Sequence, residues 1–381
     1  MTIRAVKIRG TFRGPTGHDR HVRAFSRELV RAGVAVQLID MPEWSARRLA
    51  PDQLDPWFET LDRDVGASVF LQFCMPHQLR PRQKSRTVNF TMFEADRVPD
   101  FWVRAAEKSL LTILPERSSY AAWVSSGVDA RRLRICQLGV SPEDFGSQVD
   151  PLPLAMRTGE DVSSRSTRFL NLSEVVPRKN QPGLLKAWLM ATTAKDDAVL
   201  VLKIGGESRS DIERVQSLFA RIEAESGKSF AEAAPVVILN RLLGDDEMPR
   251  LYAASTHYIS LSFGEGWDLP LMEAAASGLR LIAPDHTAYQ TYLNPAIATL
   301  LPVRKRPAVT DGDFRIFFGG AEWWEPDLDA ATLAIRSAID GREQTVASPR
   351  DFTLGHYTWA HATQRLIEIL SEAEEMPIRP G

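Results

Sequence analysis

Two short stretches place polar residues where an α/β chain would hold its chemistry. Residues 263–278 read FGEGWDLPLMEAAASG. Gly264 and Gly266 give a turn, and Pro270 suits the first turn of a helix. A helix entered there leaves the backbone N–H groups of Trp267, Asp268 and Leu269 without intrahelical acceptors. Its N-terminus also carries partial positive charge, so a diphosphate or a bound sugar fits against it. Helical side chains lean back toward the N-terminus. Glu265 on the loop and Glu273, expected in the first helical turn, can therefore face one ligand. Carboxylates accept hydrogen bonds from the paired hydroxyls of a ribose or a pyranose. A first-turn acid also complements the helix dipole, and spacing alone leaves both roles open for Glu273.

The second stretch, residues 169–180, reads FLNLSEVVPRKN: a strand, a loop and a helix capped by Asn180. Arg178 and Lys179 stand just before that helix. The chain has nine lysines against 37 arginines, which marks a lysine at a loop–helix junction. A basic pair beside a helix start can equally be a solvated surface feature.

The elements needed to position these residues follow from periodicity. Ile3–Ile8 is apolar, 10–19 is turn-rich, 20–32 has helical spacing with Gly33 at its C-cap, and 34–39 is β-branched. This βαβ opening predicts a parallel sheet covered by helices. Further strands are expected at 67–73, 87–93, 110–114 and 133–138. Residues 145–167, rich in Pro, Gly, Ser and charge, read as a linker. A second α/β series then has strands at 168–172, 198–204, 236–239, 258–261 and 280–283. Helices are expected after Asn180 and at 211–225, 246–254 and 270–277, with a last one at 357–374. The expected class is α/β, with doubly wound, Rossmann-like domains at 1–155 and 156–355 and a terminal helix in 356–381, which could pack back on the first domain. Open α/β sheets bind ligands outside the carboxyl ends of their strands, so a crevice between two such domains is the expected site.

The E-x7-E pair of Glu265 and Glu273 within EGWDLPLMEAAASG resembles the signature of retaining family 4 glycosyltransferases (glycosyl transferases group 1) of the GT-B fold. The resemblance implies a central cleft between the two domains. It implies that Glu273 holds the donor ribose, that Glu265 approaches the donor sugar, and that the amides of Gly266–Leu269 meet sugar and phosphate. The family also places an Arg/Lys pair on the donor diphosphate, a role that falls to Arg178 and Lys179. Fixed cations there stabilise the charge that grows as the sugar–phosphate bond breaks. The family commonly has glycine where this chain has Asp268; a carboxylate there could select a sugar hydroxyl or face solvent. An arginine common near Ser173 is absent, which leaves Arg178 in its place. Residues 91–99, TMFEADRVP, resemble a segment of one branch of the family and would offer Glu94, with Asp96 beside it, for orienting acceptor or sugar; a structural salt bridge is the alternative. Residues 323–329, WWEPDLD, resemble a late stretch of that branch. Residues 10–19, GTFRGPTGHD, resemble the family's N-terminal glycine loop, in which Gly14 and Gly17 would let backbone approach the phosphates. The implied activity is retaining transfer of a hexose from a UDP- or GDP-sugar to an acceptor hydroxyl, with no cofactor and no required metal. The rival readings are a nucleotide-sugar epimerase and a GT-B protein that binds nucleotide sugar without turnover.

Length and composition agree with this scale. A chain of 381 residues, 44% hydrophobic and 25% charged, suits two soluble domains. The first residues carry charge inside their apolar stretch, so no signal peptide is readable, and a cytoplasmic location is the default. Cys74 and Cys136 are expected as buried free thiols. The D-x-D triplets at Asp62/Asp64, Asp311/Asp313 and Asp327/Asp329 follow no nucleotide-site strand, and His18 with His21 or His356 with His361 lack a matching ligand set for zinc. Net charge is −3, yet residues 1–150 hold 22 Lys and Arg against 18 Asp and Glu. Clusters at Arg80, Arg82, Lys84, Arg86 and at Arg131, Arg132, Arg134 could meet an anionic acceptor or a phospholipid surface in a membrane-peripheral role. Solvated faces are the plainer reading, and nucleic acid is not expected. Asn240 and Arg241 are expected to border the nucleobase.

Overall fold

A computed structural model describes residues 2–44, 47–82, 85–205, 209–310 and 312–378. The strands are β1 (Ala5–Gly10), β2 (Ala35–Asp40), β3 (Val69–Phe73), β4 (Arg86–Phe90), β5 (Leu111–Leu114), β6 (Leu133–Ile135), β7 (Thr167–Ser173), β8 (Ala198–Ile204), β9 (Val236–Leu239), β10 (His257–Ile259), β11 (Arg280–Pro284), β12 (Ala298–Leu301), β13 (Val303–Pro307) and β14 (Glu322–Pro326). The α-helices are α1 (Gly17–Arg31), α2 (Asp100–Ala106), α3 (Arg117–Ser125), α4 (Pro142–Phe145), α5 (Gln181–Ala191), α6 (Arg209–Ser226) and α7 (Glu247–Ala253). They continue with α8 (Leu269–Ala276), α9 (Tyr289–Tyr292), α10 (Arg315–Phe318), α11 (Leu328–Ile339), α12 (Pro349–His356) and α13 (Trp359–Glu375). Among the described residues no helix is long and apolar enough to cross a membrane.

The chain divides into two compact units. The first comprises Met1–Gly139, Asp311–Ala321 and Tyr357–Gly381; the second comprises Val140–Thr310 and Glu322–His356. Each contains a six-stranded sheet, in the order β2-β1-β3-β4-β5-β6 and β12-β11-β10-β7-β8-β9, with every pairing parallel. Strands β3 and β8 are buried along their whole length, as continuous apolar runs covered by helices on both faces should be. In the second unit the chain winds outward from β7 through β8 to β9, then returns to lay β10 on the other side of β7. Such a reversal opens a crevice at the carboxyl ends of the two strands, here between β7 and β10.

The second core is fixed largely by α5 and α11. Leu184, Leu185 and Trp188 pack with Ala331 and Ile335, and the Trp188 indole donates to Ala234 O at 2.9 Å. Truncating such a tryptophan to alanine costs about 3–5 kcal/mol.

Three features differ from the reading of the sequence. The contact boundary falls at Gly139–Val140, earlier than residue 155. The turn-rich stretch read as a linker packs into the second unit: Leu152 N donates to Arg250 O at 2.8 Å, Phe145 lies 5.7 Å from the Tyr252 ring, and Val162 is fully buried. Its prolines and glycines shape a packed excursion. The antiparallel hairpin β13–β14 was not expected, because its exposed, charged strand β13 shows no apolar alternation. Between its strands, residues 311–321 belong to the first unit, where Phe318 stacks on Phe93 at 4.9 Å and Phe317 meets His77 at 5.6 Å.

Helix α13 is also part of the first unit. It packs on α1, β3 and β4, and Ser371 Oγ accepts from Ile3 N at 3.0 Å while Met376 O accepts from Arg86 Nε at 2.7 Å. The arginines of the basic clusters have local partners: Arg80 pairs with Glu43 at 2.8 Å, Arg131 with Asp129, and Arg134 with Glu372. Arg82 lies over the Phe70 ring. Lys84 lies outside the described residues.

Candidate functional site

The carboxyl ends of β7 and β10 are stitched together by backbone and cap. After β7 the chain makes a single 3₁₀ turn, Pro177–Lys179, and enters α5 at Asn180. Asn180 adopts φ 50°, and its side chain accepts from Gly183 N while donating to Leu261 O at 2.9 Å. Gly183 is required here, since a Cβ would stand 2.5 Å from the Asn180 amide. Phe263 N donates in turn to Arg178 O at 2.8 Å. The basic junction and the glutamate loop are thus held side by side.

Glu265 occupies the middle of this junction. Lys179 Nζ donates to its Oε1 at 2.7 Å, and Arg178 Nη1 to its Oε2 at 2.9 Å and to Gly264 O at 2.5 Å. Glu265 is 4% exposed. Burial alone would raise its pKa, but Lys179 and Arg178 outweigh that and bring it down to about 2. The glutamate is an anion sealed between two fixed cations.

Helix α8 begins at Leu269, with Pro270 in its first turn, so the amides of Asp268 and Leu269 lack intrahelical acceptors. Asp268 takes φ 64° and makes no side-chain capping bond. It is 7% exposed, which removes the alternative that it faces solvent. Its Oδ2 accepts from Tyr289 OH at 2.6 Å, and its Oδ1 is buried without a hydrogen-bond partner. The same phenol is also placed to donate to Ser260 Oγ at 2.8 Å, so its single proton is shared between Asp268 and Ser260, while Ser262 Oγ lies 3.2 Å away and can donate to it. Burial first, then the charge of Glu265, raise the pKa of Asp268 to about 6.

Glu273 lies one turn further into α8, and α8 has no acid in its first turn. The dipole role left open by the sequence is therefore weakened. Glu273 is buried, and its Oε2 accepts from Tyr252 OH at 2.8 Å.

A third strand end completes the group. Beyond β11, His286 Nε2 donates to Ser262 O at 2.8 Å, so its Nδ1 accepts from the Thr287 hydroxyl, also at 2.8 Å. Thr287 Oγ1 accepts in turn from Glu265 N at 3.1 Å. Burial holds His286 neutral, its pKa lowered to about 4. Asn180, Asp268 and Thr287 are the positive-φ non-glycine residues of the described chain, and all three adjoin this one cluster. Backbone conformations of this kind gather where function constrains geometry.

His286, Thr287, Tyr289, Tyr252, Ser260 and Ser262 were missed in the sequence. Looking immediately past β11 as well as past β7 and β10 would have found the first three. Residues 323–329 serve as support: Trp323 stacks near Phe263 at 5.8 Å, Trp324 N donates to Phe263 O, and Asp327 caps α11. Arg241 pairs with Glu247 at 2.7 Å. Among the described residues no His, Cys, Asp and Glu group could hold a metal ion. Asp64 pairs with Lys7 at 3.2 Å, whereas Asp311 and the side chain of Asp313 lie outside the described residues.

No protein-family model matches this chain, and no curated protein matches it. Solved structures do. Alr3699/HepE from Anabaena, in complex with UDP and glucose, aligns over 97% of this chain and 100% of its own, with a TM-score of 0.63 at 13% identity. Sucrose-phosphate synthase from Thermosynechococcus elongatus aligns over 97% of this chain and 98% of its own, at 0.64 and 14%. AviGT4, a glycosyltransferase involved in avilamycin A biosynthesis, aligns over 98% of each chain at 0.58 and 14%. Taken with the two doubly wound sheets, these likenesses decide the architecture. The fold is GT-B.

The remaining candidates lie in the first GT-B unit. The loop after β1 is shorter than expected, because α1 starts at Gly17, capped by Thr16. Gly17 is a helical residue, not a loop glycine. Gly14 serves Asp19: its N donates to Asp19 Oδ1 at 2.8 Å, and a Cβ would come within 2.7 Å of Oδ2. Asp19, fully buried, also accepts from Thr11 and Thr16, while Arg23 donates to Phe12 O and Gly14 O. The glycine loop is therefore a rigid turn built on a buried carboxylate. Glu94 and Asp96 follow β4, both half-buried and both engaged in interactions.

Proposed function

We propose that this chain is a retaining, metal-independent glycosyltransferase of the family 4 type, which moves a hexose from a UDP- or GDP-sugar to an acceptor hydroxyl in glycan, glycolipid or glycoconjugate synthesis. The observation that carries the reading is Glu265 buried between Arg178 and Lys179 beside the open amides of α8. A site that holds a carboxylate this firmly is built for an anion, and a diphosphate has the charge to take it over. Arg178 and Lys179 then neutralise the leaving group, while the α8 amides bind phosphate or sugar oxygens. Glu273, oriented by Tyr252, accepts from the ribose hydroxyls. Glu265, displaced from the cations, faces the sugar. Glu94 is assigned to the acceptor or sugar, and the Gly14 loop to the phosphates. That HepE has been crystallised with UDP-glucose puts UDP first among the candidate nucleotides.

In the reaction the acceptor oxygen attacks the anomeric carbon on the leaving-group face. The bond from that carbon to the diphosphate oxygen breaks, and the acceptor proton passes to that oxygen. No protein nucleophile is needed. Positive charge held in place strengthens its hold as the leaving group becomes more negative, and losing one such contact costs about 10²–10³ in rate.

A thermal-shift panel of UDP, GDP, ADP and TDP tests the site, since a ligand bound by the folded state alone raises its stability. One diphosphate is expected to stabilise the parent, and Lys179→Ala or Glu273→Ala to abolish the shift. Parent-like shifts in both variants would refute the assignment. Incubation with nucleotide sugars and simple glycoside acceptors should release nucleotide in the presence of a chelator, with the anomeric configuration kept. Release of none, or recovery of an epimerised sugar nucleotide, would replace the transferase reading.

A further inference from the structure

Asp268 stands where both backbone and burial disfavour it. Its φ of 64° is a left-handed conformation that costs a side-chain-bearing residue about 1–2 kcal/mol and a glycine almost nothing. Its carboxylate is shut away from water beside another carboxylate, Glu265, with one oxygen unpartnered. An unpaired buried acceptor carries its own desolvation penalty. Despite these penalties the group is firmly aimed. Tyr289 holds Oδ2 and is itself fixed by Ser260 and Ser262, while the missing capping bond leaves Oδ1 uncommitted at the mouth of α8. The charged and titratable groups around it are Glu265, Lys179, Arg178, Tyr289 and Tyr258. The two cations already serve Glu265. What Oδ1 lacks is a neutral O–H donor.

We propose that Asp268 Oδ1 accepts a hydrogen bond from a hydroxyl of the transferred glycosyl group, and so selects among donors by the presence or configuration of that hydroxyl. The inference rests on the donor site proposed above and adds the residue that reads the sugar. Nucleotide and diphosphate fall to Glu273, Arg178 and Lys179, so the two recognitions separate. A glycine at this position would relieve the backbone and remove the reader.

Isothermal titration of the full chain with UDP, GDP, ADP and TDP, followed by pairs of epimeric sugar nucleotides on the preferred base, tests this on the parent, Asp268→Gly and Asp268→Asn. Both variants should bind the bare diphosphate no more weakly than the parent, since each removes a buried negative charge beside Lys179 and Arg178. The parent's preference between epimers should shrink about 10- to 100-fold in Asp268→Gly, the range for one hydrogen bond to a charged group. Asp268→Gly should melt no lower than the parent; if it does not fold, Asp268→Asn carries the same comparison. A parent without epimer preference, or a variant that keeps the parent's preference, overturns the inference alone. A parent that binds no nucleoside diphosphate overturns the donor site, and this inference with it.

Discussion

Replacing Glu265 by glutamine separates the resting role of this carboxylate from its role with ligand. In the resting protein Glu265 is ionised, its pKa lowered from the ordinary 4.5 to about 2 by Lys179 and Arg178 against the opposing effect of burial. At about 1.4 kcal/mol per unit, that shift is worth about 3 kcal/mol of stability. Because the folded pKa is the depressed one, this stability is present above about pH 4.5 and is lost as pH falls toward 2. Glu265→Gln should therefore melt lower than the parent at pH 7, and its melting temperature should respond less to acid across that window. Binding should move the other way. A diphosphate entering the parent must displace the Glu265 carboxylate from both cations, whereas in the variant no second anion competes for them. About 3 kcal/mol also sets the scale of the gain in nucleoside diphosphate affinity, on the order of 100-fold. Differential scanning fluorimetry and isothermal titration read the two quantities on one sample. A variant that is less stable and also binds the diphosphate no better than the parent would refute the idea that Glu265 holds the diphosphate's place.

Tyr252→Phe removes the hydroxyl that donates to buried Glu273. It should destabilise by about 1–3 kcal/mol and raise the donor KM with little change in kcat, as expected for a contact made equally in ground and transition states; an unchanged KM would make the bond purely structural. Gly14→Ala places a methyl 2.7 Å from Asp19 Oδ2 and 2.9 Å from Arg47 O. Overpacking there should lower stability by about 1–3 kcal/mol, and an unchanged melting temperature would show that the turn can open. Cys74 and Cys136 are buried free thiols with pKa raised by burial, that of Cys74 to about 12. Neither should react with a thiol-specific disulfide reagent until the protein is unfolded, and reaction in native buffer would contradict their burial.

The parts of this site legible in the sequence are those where a charged residue interrupts an apolar strand–loop–helix pattern. Arg178, Lys179, Glu265 and Glu273 stand out for that reason, and Asn180 for its capping chemistry. Strands β8 and β9 have the expected bounds because their apolar runs end sharply in turn residues. Tyr252, Tyr289 and His286 were invisible for the opposite reason: aromatic residues near strand ends look like core, and only the packed structure reveals which of their polar atoms are spent on a carboxylate. Composition could not show that residues 145–167 pack into the second unit, since a Pro- and Gly-rich stretch reads the same whether it hangs free or packs. Gly17 misled because a glycine just after a strand suggests a loop, whereas the Thr16 cap and Asp19 start the helix at once. The strain at Thr287 has no sequence signature, and that at Asp268 shows only as an aspartate where the resembled family commonly has glycine.

The three-piece makeup of the first unit bears on how the molecule is made. Residues 1–139 leave the ribosome long before residues 357–381, yet α13 supplies the surface that α1, β3 and β4 bury themselves against. Until that helix arrives, the early-made half waits with part of its interior uncovered, while almost all of the later-made half is already to hand. Birth order and completion order are thus reversed in this chain, and the interval between them is when its nascent form most needs shielding from other chains.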